Sequence, residues 1–431
     1  MAHHDVVVVG AGFAGLTAAR ELSLRGHSVV VLEARDRIGG RTWTTERLGR
    51  TLELGGTWVH WTQPHVWAEL SRYGLQVVAS PEPRHAYWWA QGERREGAPD
   101  ELLALLDPGN EALLAETRTW VPQPYAPLAN QAIAEIDHLT VRQRIDALEL
   151  PDDQRELLRA FWTLNFNGPI DDAAFTQALR WCSLATGSWP IMFEACATYK
   201  LRDGTRALAE AIAADGDFEV RLESTVASIA GGTVTLADGE QIHGDAVVLT
   251  LPLHALRGLD VELSDGKRAA IEAGQASKGV KPWMRLRGEY EPFVALGGAD
   301  WPITFLQTEY WDAADTLVVG FGPDAGAIDV TDVAAVQDQV RRLVPDAEVV
   351  DVASHDWVAD PLSGETWPMQ RPGALTASLA ELQRPEGPLV LAGSDYADGW
   401  AGFIDGAIES GLRAARTAEA IVLRRGAVTI A

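Results

Sequence analysis

The stretch that decides the fold is VVVVGAGFAGLTAARELSLRGHSVVVLEA, residues 6–34. It opens with a wholly apolar, β-branched run at residues 6–9, which is typical of a buried parallel strand. A glycine turn and a stretch with apolar residues at helical spacing follow, and Gly26 ends that stretch before a second apolar run begins. These features predict a β-α-β unit that opens near residue 5.

The glycine turn has the spacing of a dinucleotide-binding loop. Gly10 permits a tight turn, Gly12 lets the backbone approach a pyrophosphate, and Gly15 lets the following helix pack closely on the sheet. The N-terminus of that helix would face the phosphates. Glu33 stands at the end of the second predicted strand, where a carboxylate accepts hydrogen bonds from a ribose. Together these features predict that the chain binds a dinucleotide.

Composition narrows the class of protein. A length of 431 residues suggests two or three domains, and 47% hydrophobic with 23% charged residues is typical of a globular chain. The 36 Lys and Arg against 61 Asp and Glu give a net charge of −25, which would repel a phosphate backbone or an anionic membrane. The start, MAHHD, lacks the basic residues of a signal peptide, and no apolar run approaches the roughly 18 residues that span a bilayer. We therefore expect a cytoplasmic protein that binds neither nucleic acid nor membrane.

The texture of the chain changes along its length. Residues 80–200 are rich in Leu, Ala, Glu and Trp and predict mostly helix, whereas residues 219–251 alternate apolar and polar positions and predict strands. In the region that follows we expect strands and one helix, near residues 332–343. A strand, a glycine-rich loop and a long amphipathic helix end the chain.

Nucleotide-binding features at both chain ends predict two interleaved domains in an α/β (α+β mixed) fold. A Rossmann-type nucleotide-binding domain is assigned to residues 1–78, 199–258 and 386–431. A substrate-binding domain of mixed sheet and helices is assigned to residues 79–198 and 259–385.

Further motifs favour FAD over NAD as the dinucleotide. EARDRIGGRTWT, residues 33–44, places Arg41 after a second glycine turn, where a guanidinium can neutralise a pyrophosphate. LELGGTWVHW, residues 52–61, supplies another close backbone approach at Gly55 and Gly56. Near the other end of the chain, a helix beginning near Phe403 would present its N-terminus, whose positive dipole end stabilises negative charge on a reduced flavin.

These motifs, in this order and from end to end, resemble the flavin-dependent monoamine oxidase superfamily. NFNGP near residue 165, HDWVADP at 355–361 and SGETWP at 363–368 are similar to the 6-hydroxy-L-nicotine oxidase-like amine oxidases. The resemblance implies bound FAD, transfer of a hydride from the amine α-carbon to flavin N5, and reoxidation by O2 to H2O2. It implies that the substrate is a small-molecule amine, hydrophobic or heteroaromatic. Members of the family are often dimeric, so a homodimer remains open.

The resemblance also implies roles for single residues. Trp367 and Phe403 match the two aromatic positions that flank the substrate amine, although the family usually has Tyr at the second. Lys281 matches the lysine that reaches flavin N5 through a water molecule, with Lys278 as a nearby competitor. On the substrate side the matching positions are Asn165 and Phe305. His60 is a further candidate for the substrate side, next to the flavin, and for each of these three residues a purely structural role remains open.

Motifs and resemblance together predict a larger set of cofactor-binding residues. These are Gly10, Gly12, Ala14, Gly15, Glu33, Ala34, Arg35, Gly40, Arg41, Gly55, Gly56, Thr57, Trp58, Val226, Trp357, Gly393, Ser394, Asp395 and Ile404. Thr366 occupies the position of the cysteine that attaches FAD in some relatives, so we expect non-covalent FAD. No cluster of His and Cys has ligand spacing, so we expect no metal site.

Three alternatives remain open at this stage. The first is a dehydrogenase of the same class that passes electrons to an acceptor other than oxygen. The second is a flavin desaturase, against which the aromatic pair of Trp367 and Phe403 argues. The third is a non-catalytic FAD-binding protein.

Overall fold

The computed structural model describes the backbone of residues 2–429 and the side chains of residues 2–426. The strands of the described residues lie within residues 2–97, 199–353 and 389–391. They are β1 Ala2–Val9, β2 Val29–Leu32, β3 Thr44–Arg47, β4 Arg50–Glu53, β5 Val77–Ala79, β6 His85–Ala90, β7 Glu93–Gly97, β8 Tyr199–Leu201, β9 Glu219–Arg221, β10 Val226–Ala230, β11 Thr233–Leu236, β12 Gln241–Leu249, β13 Asp260–Val261, β14 Trp283–Arg287, β15 Phe293–Leu296, β16 Phe305–Asp312, β17 Asp315–Phe321, β18 Val349–Ala353 and β19 Leu389–Leu391.

Six of the helices of the described residues lie between β7 and β8, and the longest helix follows β19. They are α1 Phe13–Ser23, α2 Pro64–Tyr73, α3 Pro99–Leu114, α4 Thr117–Trp120, α5 Val141–Asp146, α6 Asp152–Phe166, α7 Phe175–Leu184, α8 Trp189–Ala197, α9 Gly204–Ala214, α10 Asp265–Ala273, α11 Val333–Arg341, α12 Ala374–Gln383 and α13 Ile404–Thr429. Within residues 2–429, no helix combines the length and the apolar character that a membrane span needs.

The larger sheet has eight strands and contains the predicted β-α-β unit. Its order is β13-β10-β11-β12-β1-β2-β9, with β19 paired to β12, and β1 is parallel to both of its neighbours. Residues 6–9 are buried because α1 and α13 cover one face of the sheet and α10 and α12 cover the other. Each valine side chain removed from water in this way contributes roughly 1.5–3 kcal/mol. The predicted α/β fold is therefore confirmed.

The smaller sheet has seven strands in the order β18-β14-β17-β16-β15-β6-β7. Its face toward the helices shares one apolar core with α3, α6 and α7, and this core includes Trp283, Leu317 and Phe161. Residues 80–200 are mostly helical as predicted, but the hairpin of β6 and β7 was not predicted there, and in it β6 alternates half-buried and buried side chains next to the sheet edge. Helices α10 and α12 likewise correct the expectation of a single helix between residues 259 and 385. The exact domain boundaries stay a prediction.

The two sheets meet at the carboxyl ends of the parallel strands of the larger sheet. The carboxyl ends of β1, β2 and β12 lead into loops that line a cavity, and β16 and β17 of the smaller sheet line its other end. Ligands of open α/β sheets bind at such carboxyl ends. The fold thus brings the nucleotide-binding loop and the second sheet to one site.

Candidate active site

One cavity of about 440 Å³ extends from the glycine loop to the smaller sheet. Most of the residues predicted from sequence line it. They are Gly10, Gly12, Ala14, Glu33, Ala34, Arg35, Gly40, Arg41, Gly55, Gly56, Thr57, Trp58, Asn165, Val226, Lys281, Phe305, Trp357, Trp367, Gly393, Ser394, Phe403 and Ile404. Gly15, His60 and Asp395 lie outside its lining, each for a physical reason given below.

The glycine loop leaves room for a ligand because three side chains are missing. A Cβ added to Gly15 would lie 2.0 Å from the Gly10 carbonyl oxygen, so Gly15 allows the start of α1 to pack against the loop. Gly12 faces Gly40, whose own Cβ would approach the Gly12 Cα to 3.2 Å. Gly12 caps α1 without any side-chain hydrogen bond, so the first amides of α1 face the cavity side without a protein side-chain cap.

The end of β2 supplies the predicted carboxylate. Glu33 Oε2 accepts a hydrogen bond from the amide of Ala11 at 2.8 Å, and Oε1 accepts one from the amide of Arg35 at 2.9 Å. Since each carboxylate oxygen has two lone pairs, both can still accept from ribose hydroxyls. Arg35 donates a hydrogen bond to Asp360 at 2.8 Å. Arg35 and Val226 both line the cavity.

Arg41 is held between two buried carboxylates. Its Nη1 donates to Glu365 Oε1 at 2.8 Å and its Nη2 donates to Asp395, while the second oxygen of Asp395 accepts from the Leu253 amide. Burial and the nearby Asp395 carboxylate raise the pKa of Glu365 well above its usual value. Burial opposes the shift at Asp395, but Arg41 holds the pKa of that carboxyl below its usual value. The two carboxylates thus share one guanidinium, and Asp395 contacts Arg41 rather than the cavity.

The two predicted aromatic residues stand in the cavity wall on different elements. The indole Nε1 of Trp367 donates to the Asn165 carbonyl oxygen at 3.3 Å, which ties that ring to the end of α6. Phe403 immediately precedes α13 and packs edge-on against Trp181 and Trp400, with ring centroids 5.4 and 5.0 Å apart. Both rings are therefore held in place by contacts with neighbouring residues.

Lys281 lies in the cavity wall, whereas Lys278 does not line it. The Lys281 ammonium donates to the carbonyl oxygens of Glu53 and Gly55 at 3.0 and 2.9 Å and to Thr57 Oγ1 at 2.6 Å. Burial lowers the pKa of Lys281 to about 7. Lys278 is exposed and pairs with Asp324 at 2.7 Å, so the structure separates the two lysines that the sequence left in competition.

The substrate side differs in part from the sequence interpretation. Asn165 and Phe305 line the cavity, but His60 is 1% exposed and bonds Thr62 Oγ1 through Nδ1 and Glu194 through Nε2. Of the two open roles for His60, its position therefore supports the structural one. The remaining lining is mostly apolar, and sequence reasoning missed it: Leu164, Trp181, Phe193, Cys196, Gln307 and Phe321. Strand alternation from Phe305 was the signal that would have found Gln307.

Cys196 also lines this end of the cavity. Burial raises the pKa of its thiol to about 12, so the group stays protonated near neutral pH. Thr366 occupies the position before Trp367. A protonated thiol is a poor nucleophile, which agrees with the expectation of non-covalent FAD.

Two groups of His and carboxylate side chains lie close enough to share an ion, although the sequence predicted no metal site. They are His3, His243 and Asp245, and His65, Asp405 and Glu409. In the second group Asp405 Oδ1 already accepts the amides of His65 and Val66, and Oδ2 lies 3.1 Å from His65 Nδ1. These bonds join the start of α2 to the start of α13, so the group has a structural explanation.

The residues present fit an FAD molecule. The glycine loop and the uncapped start of α1 suit a pyrophosphate, Glu33 suits a ribose, and the aromatic wall suits a flat ring system. The first turn of α13 also borders the cavity through Ile404 and Ala407. No other ligand class is needed to explain this combination of features.

Known proteins are similar to this chain in sequence over nearly its whole length. Pseudooxynicotine dehydrogenase of a Pseudomonas species is 36% identical, over 95% of this chain and 84% of that protein. Nicotine dehydrogenase of Pseudomonas putida is 35% identical, over 96% of this chain and 88% of that protein. (S)-6-hydroxynicotine oxidase of Paenarthrobacter nicotinovorans is 30% identical, over 94% of this chain and 97% of that protein.

A solved structure of a redesigned triple mutant of putrescine oxidase superposes with a TM-score of 0.83 at 23% identity, over 98% of this chain and 99% of that one. It shows the shared fold. The family model described as flavin containing amine oxidoreductase matches residues 13–418. Since the match spans nearly the full length and agrees with the cavity, the chain belongs to the family of flavin-containing amine oxidoreductases and has FAD as its cofactor.

Proposed function

We propose that the chain is an FAD-dependent amine oxidase that acts on a hydrophobic or heteroaromatic amine of the nicotine type. The observation that carries the proposal is the continuity of the cavity, which joins a dinucleotide cradle to an aromatic chamber that contains Lys281. When bound, FAD supplies a hydride acceptor at N5 and a route for the electrons to O2, with H2O2 as the product.

The chamber itself sets the protonation state of the substrate. Lys281 and Cys196 are the titratable residues at this end of the lining, and neither carries a negative charge. An ammonium group would therefore enter an apolar site without a counter-ion, which is unfavourable. The amine binds as the free base, and Trp367 and Phe403 orient it and exclude water. No catalytic base is required for this step.

The shape and lining of the chamber support a flat, apolar substrate with few polar groups. Phe305, Phe321 and Trp181 provide apolar walls, and Asn165 and Gln307 provide amides. The names of three relatives refer to pseudooxynicotine, nicotine and (S)-6-hydroxynicotine, which are compounds of this type. An amino acid is disfavoured, because the segment after Gly56 contains Trp58 and His60 and has no arginine for a carboxylate.

A second candidate function differs only in the electron acceptor. Two of the relatives are named dehydrogenases and one is named an oxidase, so a chain of this family can serve an acceptor other than oxygen. In that case the amine chemistry is unchanged and the reduced enzyme reacts slowly with O2.

The test has two stages. The absorbance of the holoenzyme is followed anaerobically on mixing with nicotine, 6-hydroxynicotine, pseudooxynicotine, benzylamine and putrescine. We expect one of the nicotine-type compounds to bleach the flavin rapidly and putrescine to leave it oxidised. If no compound bleaches a flavin that is demonstrably bound, the amine oxidoreductase proposal fails and a desaturase or a non-catalytic FAD-binding protein takes its place.

The acceptor is then identified with the compound that bleaches the flavin. Oxygen uptake matched by H2O2 formation supports the oxidase. Turnover with a dye acceptor but with little oxygen uptake supports the dehydrogenase. Size-exclusion chromatography with light scattering, on the same preparation, tests the homodimer that the resemblance leaves open.

A further inference from the structure

The part of the cavity wall formed by β16 contains the side-chain amide of Gln307, which a buried ion pair holds in place. Gln307 stands two positions from Phe305 on the strand, and both side chains line the cavity. Behind them Lys200 pairs with Glu309, and both side chains are buried. Ser80 Oγ donates to the same carboxylate at 2.9 Å. The proposed chemistry makes no use of this pair, which therefore calls for another explanation.

The hydrogen bonds of Gln307 leave its amide only one orientation. Its Nε2 donates to Glu309 Oε1 at 2.8 Å and to the Ala197 carbonyl oxygen at 3.4 Å. The reversed amide would place a carbonyl oxygen against a carboxylate and a backbone carbonyl, both of which only accept hydrogen bonds. Lys200 and Ser80 keep the carboxylate in place. Gln307 Oε1 is therefore the atom left for the cavity.

Asn165, on another wall of the cavity, is constrained in the same sense. Its Nδ2 donates to the Phe161 carbonyl oxygen at 2.7 Å, one turn earlier in α6, so its Oδ1 is the free atom. Among the residues whose side chains the structure describes, none donates to Gln307 Oε1 or to Asn165 Oδ1. The chamber thus presents the free amide oxygens of Gln307 and Asn165 in a lining that is mostly apolar.

We propose that Gln307 is a specificity-determining residue, held by the Glu309–Lys200 pair, which accepts a hydrogen bond from an O–H or N–H group of the substrate remote from the amine. The inference rests on the proposed function and names its substrate more closely: a heteroaromatic amine that carries a ring hydroxyl or lactam N–H. A substrate without that donor leaves Oε1 desolvated and unpaired, which disfavours it by about 10- to 100-fold.

The test compares two compounds that differ in one hydrogen-bond donor, because a methyl group replaces the hydroxyl hydrogen in the second. 6-Hydroxynicotine has the donor, whereas 6-methoxynicotine has the same ring and amine without it. Anaerobic flavin reduction at several concentrations gives a limiting rate and an apparent dissociation constant for each compound. In the wild-type holoenzyme we expect 6-hydroxynicotine to be favoured about 10- to 100-fold in rate divided by dissociation constant. In Gln307→Leu the ratio falls to within about threefold, because the methoxy compound improves and the hydroxy compound weakens.

Matched variants separate this role from a general loss of structure. Gln307→Leu keeps the side-chain volume and leaves Glu309 with its Lys200 and Ser80 partners, so the variant is expected to fold and to retain FAD. Gln131→Leu, at an exposed amide outside the cavity, is expected to keep the wild-type ratio. A wild-type ratio near one, or an unchanged ratio in Gln307→Leu, overturns the proposal.

The outcome stays informative if the proposed function itself fails. When neither compound reduces the flavin, amine oxidation is refuted for this class. The spectral shift of the oxidised flavin on titration then gives the two dissociation constants directly. Their ratio in wild type and in Gln307→Leu is expected to follow the same pattern, and equal affinities in wild type overturn the role of Gln307.

Discussion

Replacing Lys281 with methionine tests how burial sets the charge at the centre of the cavity. Lys281 is buried, and burial lowers its pKa from the ordinary value of 10.5 to about 7. The acceptors around it each keep another partner after the substitution: Trp283 Nε1 donates to the Glu53 carbonyl oxygen, and Thr57 Oγ1 donates to the Gly55 carbonyl oxygen. Lys281→Met is therefore expected to fold and to bind FAD.

The expected signature is a change of relative stability with pH. Between pH 7 and pH 10.5 the unfolded wild-type chain keeps the proton of Lys281 while the folded chain has released it, so wild-type stability rises with pH in this window. From pH 7 to pH 9 the gain is about 2 kcal/mol. At about 2.1 cal/mol/K per residue, the unfolding entropy of 431 residues is about 0.9 kcal/mol/K, so the gain corresponds to about 2–3 °C in Tm.

The assay is thermal unfolding of both holoenzymes at pH 7, 8 and 9 in one buffer system. The Tm of wild type is expected to rise by about 2–3 °C relative to that of Lys281→Met over this range. Lys278→Met is the matched control, because this lysine is exposed near the same segment and its charge stays in water. A difference between wild type and Lys281→Met that is constant with pH would show that the three oxygens around the ammonium outweigh its burial, and would refute the reasoning.

The remaining predictions concern the cofactor site. Glu365→Gln is expected to stay within about 1 kcal/mol of wild type in urea unfolding, because burial favours the neutral form of Glu365, which the amide resembles. Arg41→Met is expected to lose about 3–5 kcal/mol, because it leaves Asp395 buried without its cation. Gly15→Ala is expected to lower the FAD content of purified protein at least tenfold, since its Cβ would lie 2.0 Å from a carbonyl oxygen, while Gly426→Ala, with open space around it, keeps full occupancy. Acid precipitation of the holoenzyme is expected to release all FAD into the supernatant, and a yellow pellet would contradict the non-covalent attachment that Thr366 implies.

The sequence predicted the features that depend on short spacing. The glycine loop, Glu33 and the β-α-β unit follow from local pattern, because turn geometry and strand burial are decided within some thirty residues. The hairpin of β6 and β7 was missed, since its stabilising partner β15 lies about 200 residues further along the chain. Tertiary pairing overrides local composition at such positions.

The candidate site divides along the same line. His60 was a candidate for the substrate side because it lies in the segment after Gly55 and Gly56, with a structural role left open, and its ring contacts Glu194, which no local pattern joins to it. Gln307 was missed although Phe305 was named, because the importance of an amide depends on what stands behind it. Glu309 and Lys200 are 109 positions apart, and only the folded chain brings them together.

Two buried groups of opposite charges next to the cavity are each balanced internally, and with the proposed role of Gln307 they explain how a mostly apolar chamber could be selective. Arg41 is balanced by Asp395 and Glu365, and Lys200 is balanced by Glu309. A balanced pair produces little net field inside the chamber, so an uncharged amine is not penalised there. Each pair nevertheless fixes the orientation of a neighbouring group, as Glu309 does for Gln307. Under the proposed role of Gln307, selectivity rests on a neutral amide whose orientation is set by the Glu309–Lys200 pair, so we expect Glu309→Gln to change the preference between substrates before it changes the rate.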